Sequence, residues 1–122
     1  MRRESGRTRR VGALLMRELA TLIPREVDDR AAKTATVTGV DVAPDFSHAK
    51  VFVTHLMGVE RARLVVAALN EAAPQLRHAI ATRVNLRSTP QLRFVYDESV
   101  ERGVAISHLI DRARAEDEGR DE

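Results

Sequence analysis

Seven arginines are the residues of this 122-residue chain whose type and spacing suggest a chemistry. A guanidinium group is planar and always charged, and it binds phosphate through two parallel hydrogen bonds. The candidates are Arg7, Arg9, Arg10, Arg77, Arg83, Arg87 and Arg93. Any one of them alone is more often a solvated surface residue. Their grouping near the N-terminus and around one predicted strand favours a nucleic acid as the partner.

The charge is distributed unevenly, although the formal net charge is only +2. The first ten residues hold five arginines and one glutamate, whereas residues 111–122 hold six acidic residues and three arginines. A basic arm and an acidic tail are typical of a protein that binds a polyanion. The preference for arginine over lysine is also what a biased genome composition produces, but such a bias does not explain the clustering.

Other chemistries lack the residues that they need. The chain has no cysteine, and its histidines are far apart without the spacing of a metal site. Ser88 and Thr89 have no adjacent base to activate them, and the glycines form no nucleotide-binding loop. We therefore expect no enzyme activity, no metal and no cofactor.

Composition also predicts where the protein acts. The absence of cysteine fits a reducing compartment, and the longest apolar run, residues 64–69, is far shorter than the ~20 residues of a spanning helix. A cytoplasmic protein without a membrane segment is expected. The aromatic residues are Phe46, Phe52, Phe94 and Tyr96, and three of the four fall in predicted strands. Base stacking on an aromatic platform is therefore not expected, so recognition should depend on phosphate charge and RNA shape.

Hydrophobic periodicity predicts the elements that position the arginines. Apolar residues recur at helical spacing from Thr8, and Pro24 should end or kink this helix near Ile23, with one further helical turn to Asp29 as the alternative. Residues 34–42 and 49–56 are predicted to form an antiparallel hairpin. A bulge at Gly39 would place the valines of the first strand on one face.

A second helical region covers residues 60–84, and it contains a proline. Proline disfavours a helix interior but suits a first helical turn, so Ala72, Ala73 and Pro74 predict a corner between two helices at a sharp angle. A third strand is expected at residues 91–96, followed by one short helix. The resulting fold class is α+β, with a three-stranded sheet packed on helices and its other face open.

The order of these elements, with a kinked helix pair between a hairpin and a last strand, is that of a type II KH domain. The stretches "TATVTGVDVAPDFSHAKVFVTHL", "ALNEAAPQLRHAI" and "RSTPQLRFVYDESVERGVAISHLID" together resemble the ribosome-binding factor A family. The most specific of them is "TPQLRFVYDES" followed by "GVAISHLI". The resemblance runs from about Arg7 to Asp111 and implies a KH-like domain at 7–111. From their composition, the basic arm at 1–6 is expected to be flexible and the acidic tail at 112–122 to be disordered.

The resemblance also implies a function. Members of that family bind immature small ribosomal subunits, contact their rRNA and assist late maturation and rRNA processing, notably in the cold. A monomeric, non-catalytic factor is expected, and a general RNA-binding KH-like protein of translation or cold stress is the alternative. The family replaces the GxxG loop of ordinary KH domains with an alanine kink of the form Ala-x-Gly. Ala72, Ala73 and Pro74 occupy those positions here, so the kink is interpreted as structural rather than RNA-binding.

Overall fold

The computed structural model describes residues 6–56 and 59–99. The elements are α1 (Gly6–Glu26), a short 3-10 helix (Ala32–Thr34), β1 (Thr36–Val42), β2 (His48–Thr54), α2 (Val59–Arg83) and β3 (Gln91–Tyr96). The expected short C-terminal helix, the acidic tail and nearly all of the basic arm lie outside the described residues.

The three strands form one sheet in the order β1-β2-β3. β1 and β2 are antiparallel, whereas β2 and β3 are parallel because the long α2 connects them. Alternate residues of β2 face the helices, and Ala49, Val51 and Val53 are buried there. His48 and Lys50 lie on the opposite, open face. The predicted α+β class, with helices on one face of a three-stranded sheet, is confirmed.

The predicted bulge in β1 is confirmed by a register shift between Val37 and Gly39. Because the shift inserts one residue, Val37 and Val42 both end up buried on the helix side. α1 crosses this strand closely: a Cβ added at Gly12 would lie 3.1 Å from the Val40 carbonyl oxygen. Glycine at that position therefore sets the distance between the first helix and the sheet.

The predicted corner at Pro74 is wrong, because α2 is a single hydrogen-bonded helix with Pro74 in its interior. The buried residues of α2 continue at helical spacing through the proline, and they include Val65, Leu69, Leu76 and Ile80. The proline ring itself is exposed. Burial of one continuous apolar stripe against the sheet outweighs the loss of one backbone hydrogen bond, so the helix is not divided.

A first helix that stops at Ile23 is wrong, whereas the alternative with about one further turn after Pro24 is closer to the structure. α1 includes Pro24 and ends at Glu26. Ile23 and Val27 are buried on the core side, and the Val27 N–H donates to the Ile23 carbonyl oxygen at 3.1 Å. Gln75 Nε2 of α2 donates to the Glu26 carbonyl oxygen, also at 3.1 Å. These contacts hold the last turn in place despite the proline.

Candidate nucleic-acid interface

The three N-terminal candidates, Arg7, Arg9 and Arg10, lie within the first five residues of α1 and are exposed. Their cationic groups stand at the positive end of the helix dipole, which carries no acidic residue in its first turn. The Arg7 guanidinium carbon lies 5.2 Å from the centroid of the Phe46 ring. This is a cation–π contact between the first helix and the β1–β2 loop.

A cleft opens beside this contact, and we call it the arginine cleft. Its volume is about 680 Å³, and it is lined by Arg7, Val11, Pro44, Asp45, Phe46, Leu86, Arg87 and Ser88. Three segments meet here, namely the start of α1, the β1–β2 loop and the α2–β3 loop. Arg7 and Arg87, which are far apart in sequence, therefore lie at one site.

The β1–β2 loop has a defined conformation at the cleft. The Phe46 N–H donates to the Ala43 carbonyl oxygen at 2.8 Å, which closes a tight turn. Phe46 has a φ of 62°, which is the left-handed region that non-glycine residues rarely adopt. Its partly buried ring packs against the core. The packing therefore holds a backbone conformation that is unfavourable by itself.

Asp45 adds a negative charge to the rim of the cleft. The Ser47 hydroxyl donates to Asp45 Oδ1 at 2.6 Å, and the Ser47 backbone N–H donates to the same oxygen at 3.0 Å. These hydrogen bonds hold the pKa of the Asp45 carboxyl below its usual value. The cleft therefore presents two guanidinium groups and one carboxylate.

Two further clefts continue from the arginine cleft along the α2–β3 side. The first is about 440 Å³ and is lined by Pro74, Arg77, His78, Ala81, Ser88 and Thr89. The second is about 420 Å³ and is lined by Asn70, Ala73, Pro74, Arg77, Gln91 and Leu92. Neighbouring clefts share lining residues, Ser88 in one case and Pro74 with Arg77 in the other. The three clefts therefore lie next to one another along this side of the fold, and together we call them the groove.

Arg77 is positioned by the loop that precedes β3. Its Nε donates to the Thr89 carbonyl oxygen at 2.9 Å, and its side chain is exposed. Ala73, one turn earlier, is buried, while Ala72 is half-buried and Pro74 is exposed. The three predicted kink residues thus contribute packing on one side of α2 and a groove wall on the other.

Two candidates lie away from the groove, so the seven arginines do not form one continuous surface. Arg83 Nε donates to Glu18 Oε1 at 2.6 Å, which engages its charge in an ion pair between the helices. Arg93 lies on the open sheet face, where β-sheet register places it beside Lys50, and Lys50 beside Asp41. A shallow cleft of about 200 Å³ is lined by these three residues with His48 and Ala49.

Sequence reasoning missed two residues at these sites, Phe46 and Lys50. Hydrophobic periodicity assigns no role to Phe46, although it is the one aromatic residue outside the predicted strands. An aromatic residue in a predicted loop is the sequence feature that points to a role for Phe46 at the site. Lys50 alternates with Ala49 and Val51 in the β2 pattern, and this alternation already indicated the open face.

Within residues 6–56 and 59–99, no group of three or more metal-ligating side chains lies together. None of the helices in the same ranges is both long enough and apolar enough to cross a bilayer.

Comparison with known proteins assigns the family. The family model described as ribosome-binding factor A matches residues 7–110. Ribosome-binding factor A of Pseudomonas paraeruginosa is 48% identical over 120 residues, which cover 96% of this chain and 93% of that protein.

Solved structures agree with the sequence match. The crystal structure of ribosome-binding factor A from Thermus thermophilus superposes with a TM-score of 0.63 at 30% identity, over 73% of this chain and 94% of that one. A homology model of the Thermus thermophilus factor, fitted into a cryo-EM map of its complex with the 30S subunit, gives a TM-score of 0.52 at 28% identity and covers 70% and 93%. The chain belongs to the ribosome-binding factor A family.

Proposed function

We propose that this protein is an assembly factor that binds the small (30S) ribosomal subunit and contacts its rRNA during late maturation and rRNA processing, including at low temperature. It acts in the cytoplasm as a monomer, and it acts by binding rather than by catalysis. Family membership supports this role, as does the fitted 30S complex of the Thermus thermophilus relative.

The observation that carries the proposal is the meeting of Arg7 and Arg87 at one cleft, with Arg77 further along the same side. The phosphates of RNA are spaced along the strand. Guanidinium groups spaced along a groove can therefore contact successive phosphates, which a single cluster of guanidinium groups cannot do as well. Arg9 and Arg10 extend the positive charge beyond Arg7 at the start of α1.

The remaining two candidates have secondary roles in this proposal. Arg93 and Lys50 form a separate basic site on the open sheet face, where a second RNA segment would bind. Arg83 contributes less because its Nε is held by Glu18. The RNA interface therefore centres on the groove side of the molecule.

Co-sedimentation with purified small subunits at increasing salt tests the proposal. If about six phosphates are neutralised, affinity falls roughly a thousandfold between 50 and 200 mM salt, because bound counterions are released from the RNA. Large subunits and polysomes serve as controls and should retain little protein. A nearly flat salt response contradicts the electrostatic mechanism. Equal binding to messenger RNA and to small subunits would instead indicate a general RNA-binding protein.

A further inference from the structure

We propose that the arginine cleft binds one unpaired RNA nucleotide, with its base against the Arg7–Phe46 pair and its phosphate at Arg87. The inference rests on the proposed function and deepens it, because it names the part of the RNA that this site recognises. It also departs from the expectation that stacking plays no part in recognition.

The shape of the cleft suits a single nucleotide. Its volume of about 680 Å³ lies within the ~300–1,000 Å³ typical of small-ligand pockets. Val11 and Leu86 supply apolar surface, and both pack against the core. Arg7, Arg87, Asp45 and Ser88 supply polar groups around that surface. An apolar wall with a few convergent polar groups is the usual composition of a site for a flat, partly polar ligand.

The Arg7–Phe46 contact provides a stacking surface. A guanidinium group held beside an aromatic ring is restrained, and unpaired bases stack on guanidinium planes as well as on aromatic rings. Phe46 is held by its turn and by core packing, so it positions Arg7. Phe46 keeps its unfavourable φ of 62° while its ring contacts Arg7 of α1, and we assign this strained conformation a role in the site.

Asp45 sets the orientation of the nucleotide and its preferred bases. A carboxylate repels phosphate, so the phosphate lies beside Arg87 and Ser88, which also line the cleft, rather than beside Asp45. The same carboxylate accepts hydrogen bonds from exocyclic amino groups of bases. The hydrogen bonds from Ser47 favour the ionised form of Asp45 at neutral pH. Adenine, cytosine and guanine are therefore favoured over uracil, which has no amino group.

Titration of the full-length, ¹⁵N-labelled protein with single-stranded RNA pentamers tests the inference. The ligands are oligoadenylate, oligocytidylate, oligouridylate and an abasic pentamer of equal charge. We expect amide signals of residues 7, 45–47 and 86–88 to shift with the first two. Replacing the base by hydrogen should weaken binding by about 5- to 150-fold, as expected for one stacked base. Oligouridylate should bind several-fold more weakly than oligocytidylate.

Three variants separate the contributions of the ring, the carboxylate and the guanidinium group to nucleotide binding. Phe46→Leu keeps an apolar side chain but removes the ring, and it should reduce the preference for oligocytidylate over the abasic pentamer. Asp45→Asn keeps the acceptor for Ser47 and should abolish discrimination against uracil. Arg87→Gln should weaken every pentamer. Arg17→Gln is the matched control, because Arg17 is an exposed arginine of α1 that does not line the cleft.

The outcomes separate this inference from the proposed function. Equal binding of the abasic and oligocytidylate pentamers, or shifts confined to the groove around Asn70 and Gln91, would overturn the nucleotide site. Either result would leave the assembly role intact if the wild-type protein still co-sediments with small subunits. Failure of that co-sedimentation would overturn the assembly role instead. If Phe46→Leu does not fold, Asp45→Asn and Arg87→Gln decide the question, since both replace exposed side chains.

Discussion

Arg83 Nε at the end of α2 donates a hydrogen bond of 2.6 Å to Glu18 Oε1 in the middle of α1. The Arg83 side chain is 40% exposed and that of Glu18 is 15% exposed. The pair therefore links the two helices at the protein surface, and it engages one of the arginines that the sequence suggested for RNA.

The ion pair should contribute modestly to stability. A double-mutant cycle with Glu18→Gln and Arg83→Gln is expected to give a coupling free energy of about 0.2–1 kcal/mol, because solvent screens a pair with this exposure. Urea unfolding of the four proteins measures it. A coupling of zero would show that the two side chains do not interact in solution.

Arg83 and Arg87 should differ in their effect on subunit binding. Arg87→Gln removes a cation at the arginine cleft and is expected to weaken binding to small subunits about tenfold, as for a lost hydrogen bond to a charged group. Arg83→Gln should have a smaller effect, because Glu18 already compensates its charge. Quantitative co-sedimentation at low salt compares them. Equal losses would mean that RNA displaces Glu18 from Arg83.

Pro74→Ala should stabilise the protein. Pro74 lies in the interior of a continuous helix and its ring is exposed, so alanine restores a backbone N–H without removing buried surface. The expected gain in the free energy of unfolding is about 1–3 kcal/mol. Ala67→Pro, at another exposed position of α2, is the matched control and should cost ~3 kcal/mol or more. Destabilisation by Pro74→Ala would show that the fold needs a bend there.

Asn70→Ala should destabilise β3. The Asn70 side-chain amide donates to the Phe94 carbonyl oxygen at 3.0 Å, and its oxygen accepts from the Phe94 N–H at 2.8 Å. Asn70 therefore pairs with a backbone position on the outer edge of the sheet, as a neighbouring strand would. Loss of both bonds is expected to cost about 1–3 kcal/mol in urea unfolding. Asn85→Ala, at an exposed position in the α2–β3 loop, should change stability by less than ~0.5 kcal/mol.

The strands could be predicted from sequence because their signal is local. In residues 91–96, apolar residues alternate with other residues, and at Gly39 this alternation shifts by one position. Each pattern allows only one way to place the apolar side chains on the buried face of the sheet. The helix interruptions predicted at Pro24 and Pro74 do not occur, because burial of the apolar side chains outweighs the local preference of proline. The apolar stripe of α2 continues past Pro74 without a phase change, and this spacing already indicated one helix.

The site could be predicted only in part, because it depends on contacts between distant segments. The sequence identified Arg7 and Arg87 as candidates, but it contained no signal that α1 and the α2–β3 loop meet. It also could not distinguish Arg87 from Arg83, since pairing with Glu18 is a consequence of how two helices pack. Side-chain partners across a fold are set by tertiary packing, whereas periodicity reports only which face is buried.

Protein–RNA crosslinking on immature small subunits, mapped to single residues, tests the central claim most directly. The account predicts that rRNA crosslinks fall at Arg7, Phe46 and Arg87, with weaker ones at Arg77. Crosslinks concentrated at Lys50 and Arg93 on the open sheet face, with none at the arginine cleft, would contradict it.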